Sequence, residues 1–352
     1  MAIYKFNSDN GAPVCDQVMD ALVRCNHGVE TAYGSDRWSQ GLDSAYSDFF
    51  EKRCFVFPVP TGTAGNGLAL GAVTPPYGTM FSHAQAHIVT TEGGAPEFYS
   101  GGGRITLIDG ADNKITADAL RAALDAHGIG NVHHMHASAL CLTQATETGV
   151  TYTLDELAGL SAIARQAGLK VHMDGARFAN ALVHLGATPA EMTWKAGVDL
   201  LTFGTTKNGT MNAEAVITFD PEIARVLRVM HKRAGHLSSK MRYMSAQLLS
   251  YLEGDLWRRN AARANGHATR VARALGACDA VRLMHPVHIN EVFAVLPPAL
   301  AEHLRAEGFP CDPGRSGNGR ACGSSCPLRT ATRRSTPLPT AFAAFTDQGS
   351  PR

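Results

Sequence analysis

No stretch of the chain reaches the roughly 18 consecutive apolar residues that a membrane-crossing helix requires. The opening Met1-Ala2-Ile3-Tyr4-Lys5-Phe6 also lacks the basic-then-apolar layout of a secretory leader. Neither sign of charge is in excess: 32 Lys and Arg stand against 31 Asp and Glu, a net charge of +1. That balance argues against a nucleic-acid or membrane-surface partner. The eight cysteines, at 15, 25, 54, 141, 278, 311, 322 and 326, do not form two pairs at zinc-site spacing, since Cys322 and Cys326 have no counterpart. His134 and His136 would share one face of a strand beside His133, but no carboxylate or cysteine completes a ligand set. No metal is expected. These absences together lead to the expectation of a cytoplasmic protein with a small-molecule substrate.

What is present is ordinary for a globular chain: 352 residues, 45% hydrophobic and 18% charged, enough for one large domain and a smaller one. Short apolar runs at 54–59, 87–91, 104–108, 136–142, 170–173, 200–203 and 215–219 read as strands. Amphipathic stretches lie between them, such as 155–166 with Leu157, Leu160 and Ile163 on one face. Strands alternating with helices predict an α/β fold with a mostly parallel sheet covered on both faces. Residues 221–275 read as nearly all helix, 281–296 as a strand or two, and 298–307 as a helix. This places a large domain at 1–240 and a partial small domain at 241–309.

The last segment has a different composition. Pro310 to Arg352 holds six Arg, six Pro and three Cys, and no Lys, Glu, Ile, Val, Met, Tyr or Trp. So little apolar surface cannot offset the entropy of ordering. Residues 310–352 are therefore expected to be a disordered or out-of-frame tail, and the small domain to be truncated or altered after residue 309.

Two polar clusters follow apolar runs. The first is Asp174-Gly175-Ala176-Arg177, and the second is Gly204-Thr205-Thr206-Lys207-Asn208-Gly209. In open α/β sheets ligands sit beyond the carboxyl ends of the strands, so both clusters should face one crevice. Alone, Asp174 would be a turn aspartate and Lys207 a solvated lysine. Together, an acid and a lysine at neighbouring strand ends suit pyridoxal 5'-phosphate: the lysine forms the Schiff base, and the acid keeps the ring nitrogen protonated so that the ring accepts electrons. A phosphate site is offered by Pro60-Thr61-Gly62-Thr63-Ala64-Gly65-Asn66-Gly67, glycine-rich and followed by an apolar helix pattern.

These segments resemble the L-threonine aldolase family of fold-type I pyridoxal-phosphate enzymes. The resemblance extends to Asn7-Ser8-Asp9-Asn10, Tyr33-Gly34 before Asp36, Ala86-His87 and Thr143-Gln-Ala-Thr-Glu147, and covers roughly residues 5–309. Gly235-His-Leu-Ser-Ser-Lys-Met-Arg242 is most similar to the branch that includes the phenylserine aldolases. The resemblance implies a seven-stranded sheet and a homodimer or homotetramer with shared active sites. It implies retro-aldol cleavage of an L-β-hydroxy-α-amino acid (L-threonine, L-allo-threonine or phenylserine) to glycine and an aldehyde. Lys207, His87 and Asp174 would be catalytic, with His87 stacked on the cofactor ring. Gly62 and Thr63 would hold the phosphate, and Arg242 would reach the cofactor site. Ser8 and Arg177 would bind the substrate carboxylate, with Tyr33 beside them. A second carboxylate arginine, expected in the small domain, has no match after Phe309. The alternatives left open are a β-eliminating or other fold-type I lyase, and a pyridoxal-phosphate-binding protein that no longer catalyses.

Overall fold

The computed structural model describes residues 8–307 and the strand Ser325–Arg329. Seven strands build the main sheet: β1 (Phe55–Val59), β2 (Gly78–His83), β3 (Arg104–Ile108), β4 (His136–Thr143), β5 (Lys170–Gly175), β6 (Leu200–Phe203) and β7 (Glu214–Thr218), in the spatial order β1-β7-β6-β5-β4-β2-β3. β7 runs antiparallel to both of its neighbours, and every other pairing from β6 to β3 is parallel. A parallel sheet covered on both faces needs strands that are apolar throughout. β1, β2, β6 and β7 accordingly bury every residue.

Two strand assignments from the sequence change. The run 87–91 is not a strand: His87–Thr90 is a single helical turn, and β2 occupies 78–83 instead. The β-branched residues Ile88, Val89 and Thr90 suggest a strand. Tertiary bonds override that preference, because the His87 N–H and ring are both tied to carboxylates from elsewhere. β2 is harder to see because it carries Gly78, Thr79, Ser82 and His83 into the interior.

The helix Gly62–Val73 packs against β6 and β7 at close range. Gly65 makes this possible: a Cβ there would stand 2.7 Å from Thr202 Cγ2 on β6. Gly65→Ala should therefore destabilise the fold by about 1–3 kcal/mol of overpacking, against at most about 1 kcal/mol gained in helix propensity. A denaturant midpoint that rises instead would show that the helix can move off the sheet.

The main core is anchored by aromatic side chains. Tyr46, Phe50, Phe178, Phe203 and Tyr251 are fully buried, with Phe49 packed edge-on against Tyr46, Phe50 and Phe203 and Trp257 edge-on against Phe49. A second core forms where Ala268, Val271 and Leu275 of the long helix Leu256–Gly276 meet Val292, Ala294, Leu300 and Leu304. The sequence reading puts the change of domain at residue 241. Leu248, Tyr251, Trp257 and Ala261 pack into the main core, and the second core draws on the long helix from Ala268 onward.

A small antiparallel sheet covers that second core, with β9 (Glu291–Val295) between β8 (Arg282–Leu283) and β10 (Ser325–Arg329). β9 is thus paired on both edges. The rest of the expectation for residues 310–352 lies outside the described residues. No helix among the described residues is long and apolar enough to cross a membrane.

Candidate active site

Lys207 sits in a 3₁₀ turn, Thr206–Asn208, directly beyond the end of β6. The turn is clamped from three sides. Glu214 on the antiparallel neighbour β7 accepts the N–H of Thr205 at 2.7 Å and of Thr206 at 3.3 Å. The Asn208 side chain donates to Tyr251 Oη at 2.6 Å and to the Trp257 carbonyl at 2.9 Å. Asn260 donates to the Asn208 carbonyl at 2.9 Å. Burial pushes the Glu214 carboxyl up, opposed by Thr206, Thr205 and the Lys207 charge.

The Lys207 side chain itself is half-buried, and its amine makes no hydrogen bond or ion pair among the described residues. Its pKa is lowered, first by the Arg177 guanidinium and then by burial, against the pull of Asp9, Asp174 and Glu291. A lysine held in place by its backbone, with its amine unpaired and its charged form disfavoured, is a nucleophile in waiting.

Asp174 is the last but one residue of β5, level with Thr202 on β6 and Thr143 on β4, and is buried. Its Oδ1 accepts the Ala176 N–H at 3.0 Å and its Oδ2 accepts Asn66 Nδ2 at 2.9 Å. Both donors are neutral, and two of a carboxylate's roughly four lone-pair sites stay available for a cationic N–H. Two residues earlier on the same strand face, His172 lies 3.2 Å from Cys141 Sγ and 2.9 Å from Thr202 Oγ1. Burial drops its pKa to about 4, so the ring supporting this floor is neutral.

Arg177 follows in the same turn and is buried. Its Nε and Nη2 donate to the two oxygens of Asp9, at 2.8 and 3.0 Å. Nη2 also pairs with Glu291 Oε1 at 3.2 Å, and Asn290 donates to Asp9 Oδ2 at 3.1 Å. Burial opposes the Arg177 charge, but Asp9 and Glu291 outweigh it and raise its pKa. The guanidinium thus joins three parts of the chain: the N-terminal arm, the end of β5 and the start of β9. Ser8, next to Asp9, accepts the Asn10 N–H at 3.2 Å.

Gly62 and Thr63 are the first two residues of the helix Gly62–Val73, whose N-cap Thr61 accepts the Ala64 N–H. The N–H groups of Gly62 and Thr63 have no partner among the described residues. Unused donors at the positive end of a helix suit an anion.

His87 is bound at both ends: its N–H donates to Glu147 Oε1 at 2.8 Å, and its ring Nδ1 lies 2.7 Å from Glu92 Oε1. Burial raises the Glu147 pKa to about 7, opposed by backbone N–H groups that include that of His87, while Asp174 adds to the rise.

Lys207, Asp174 and Arg177 therefore converge on one place. His87 joins them through Glu92 and Asn66, and the Gly62–Thr63 turn through the helix that carries Asn66. Tyr33 and Arg242 belong to a different surface. Tyr33 is exposed, with the Lys232 ammonium 4.5 Å from its ring centroid, and Arg242 Nη1 donates to the Gly28 carbonyl at 3.2 Å. Among the described residues, none of their hydrogen bonds or ring contacts involves the Lys207 cluster.

The sequence reading assigned no role to Asn66, Glu92, Glu147, Asp9 or Glu291. For Asp9, Asn66 and Glu147 the only signal is membership of segments that resemble the family. For Glu92 it is a lone acid before two glycines.

The model of the family described as "Beta-eliminating lyase" matches residues 5–298. Low specificity L-threonine aldolases from a Pseudomonas species and from Pseudomonas aeruginosa are each 40% identical over 306 residues, 87% of this chain and 88% of theirs. Among solved structures, a Leishmania major threonine aldolase superposes with a TM-score of 0.88 at 24% identity, covering 98% of this chain and 99% of its own. An aspartate aminotransferase from Rhodobacter sphaeroides superposes with a TM-score of 0.68 at 18% identity, covering 98% and 91%. At these identities the structural matches speak for the fold alone.

Proposed function

The chain belongs to the beta-eliminating lyase family, with low specificity L-threonine aldolases as relatives along most of its length, and from that premise we propose that it cleaves an L-β-hydroxy-α-amino acid to glycine and an aldehyde with pyridoxal 5'-phosphate. The observation that carries this reading is the unpaired, half-buried amine of Lys207, facing Arg177 and Asp174 beyond the ends of adjacent strands. L-Threonine, L-allo-threonine and phenylserine are the substrates to which the reading extends.

The residues present fit the cofactor. Asp174 has acceptor capacity left for a protonated ring nitrogen, Gly62 and Thr63 have N–H groups left for a phosphate, and Lys207 has a free amine for covalent attachment. When bound, the cofactor supplies an electron sink for the pair released as the Cα–Cβ bond breaks. Arg177 and Ser8 receive the substrate carboxylate and so turn that bond into the orientation needed for cleavage. His87 lies beside the reacting atoms. Tyr33 and Arg242 serve the site of a neighbouring copy, in a homodimer or homotetramer.

The Arg177 surroundings carry a prediction of their own. Its Nε and Nη2 hydrogens are taken by Asp9 and Glu291, which leaves Nη1 for an incoming carboxylate. A two-bond grip across both terminal nitrogens requires Glu291 to yield. Glu291→Gln removes the competing charge. It should lower KM for L-threonine several-fold, on the order of one tenfold step per 1.4 kcal/mol of competition removed, with kcat little changed. An unchanged or higher KM in steady-state kinetics would show that Glu291 does not compete.

The reaction is tested by its products. L-Threonine should give equal amounts of glycine and acetaldehyde. A β-elimination would give 2-oxobutanoate and ammonia instead. The elimination reading has the description of the matching family in its favour but no relative of comparable identity, and the non-catalytic reading has no specific observation.

A further inference from the structure

The ring of His87 is set by a carboxylate that itself lies out of reach of solvent. The Glu92 side chain is fully buried, whereas that of His87 is 44% exposed. Glu92 Oε1 accepts from Asn66 Nδ2 at 2.8 Å, and the same amide nitrogen donates its other hydrogen to Asp174 Oδ2 at 2.9 Å. Because both of its partners are carboxylate oxygens, the atom facing them must be the nitrogen. Three hydrogen bonds therefore run in series, from the His87 ring through Glu92 and Asn66 to Asp174.

This chain also selects the tautomer. Glu92 Oε1 already accepts from Asn66 and, as a carboxylate oxygen, has nothing to donate. At 2.7 Å, Nδ1 of His87 must therefore be the protonated nitrogen. In the neutral ring Nε2 is then left without a proton, and it makes no hydrogen bond among the described residues. The backbone arranges Glu92 for this task. It follows the helical turn His87–Thr90, and Gly93 and Gly94 come next with φ of 59° and 78°. Glu92 thereby reaches back five positions, its Oε1 meeting the His87 ring at 2.7 Å.

We propose that Glu92 is the positioning residue for His87. Its carboxylate holds Nδ1 as the protonated nitrogen, presents Nε2 as the proton-accepting one, and through Asn66 keeps the ring in register with Asp174. The proposal rests on the aldolase reading only in that His87 there stands beside the reacting atoms.

Two measurements test it. The first is ¹⁵N NMR of histidine-labelled protein, with the His87 signals assigned by their loss in His87→Gln. The neutral ring should carry its proton on Nδ1, and a proton on Nε2 would overturn the proposal. This readout requires no turnover and no variant at position 92. A ring with the predicted tautomer in a protein that forms no glycine from L-threonine would overturn the aldolase reading alone.

The second is a double-mutant cycle. Glu92→Gln, which can rotate its amide to donate to the ring, should lower kcat on the order of 10-fold or more, as loss of an orienting hydrogen-bond partner does elsewhere, with KM within about twofold. In a His87→Ala background the same substitution should have no further effect, because its action passes through the ring. Equal losses in both backgrounds would mean that Glu92 acts on the fold in general, and the proposal would fail.

Discussion

Replacing Lys207 with alanine is expected to lower turnover by a factor on the order of 10³ or more while leaving stability almost unchanged. Both halves of that expectation come from the same observation. The amine has no hydrogen bond or ion pair among the described residues, so its removal leaves no donor or acceptor stranded. It also removes the repulsion between Lys207 and Arg177, the first cause of the lysine's lowered pKa. The turn around it is held by Glu214, Tyr251, Trp257 and Asn260 through backbone atoms and Asn208, and none of these hydrogen bonds uses the Lys207 amine. A change within about 1 kcal/mol is expected for such a site. The check is steady-state turnover of L-threonine beside a thermal melt. A variant that melts like the parent and turns over near its rate would remove Lys207 from the chemistry.

Asp174 carries the second large effect. Asp174→Ala should lower kcat on the order of 10²–10³-fold, the scale on which a single preorganised electrostatic partner acts. It should also cost stability, because the Ala176 N–H is left without its acceptor in a partly buried place, worth about 1 kcal/mol. Asn66 loses less, since Glu92 still accepts from it. Asp174→Asn separates the two effects. An asparagine carbonyl keeps the bond from Ala176 but turns an NH₂ toward that of Asn66, and the negative charge is gone. Rate loss close to that of alanine, with a smaller loss of stability, is the expected outcome in kcat and denaturant midpoint. If both variants kept the parent rate, Asp174 would serve only the packing of the strand ends.

The central residues were legible because each stands where an apolar run gives way to polar residues. Lys207 ends such a run after β6, and Asp174 and Arg177 end another at β5. Gly62 and Thr63 were legible as glycine-rich turn chemistry before an apolar helix. The partners that set their electrostatics were not. Asp9 reaches Arg177 across 168 residues and Asn290 reaches Asp9 across 281, distances over which no periodicity carries information. Glu92 reads as a turn residue before two glycines, and only the fold brings Asn66 and His87 to it.

The strands divide the same way. β1, β6 and β7 announce themselves by mostly apolar residues, and β5 by Val171 and Met173 ahead of Asp174. β2 hides because Ser82 and His83 enter the interior, where His83 Nε2 lies 3.0 Å from the Gly110 carbonyl. At 87–91 the local preference for a strand was real but lost to the two carboxylates that hold His87. In the small sheet, pairing with Ser325–Arg329 could not be foreseen from composition, since that segment offers few of the residues strands favour.

The most direct test is to load the protein with pyridoxal 5'-phosphate, reduce it with borohydride and map the modified peptides by mass spectrometry. The adduct should fall on Lys207 alone among the lysines, and prior incubation with L-threonine should lower its yield. An adduct spread over surface lysines such as Lys52, Lys195 and Lys232, or concentrated on any of them with Lys207 unmodified, would contradict the account.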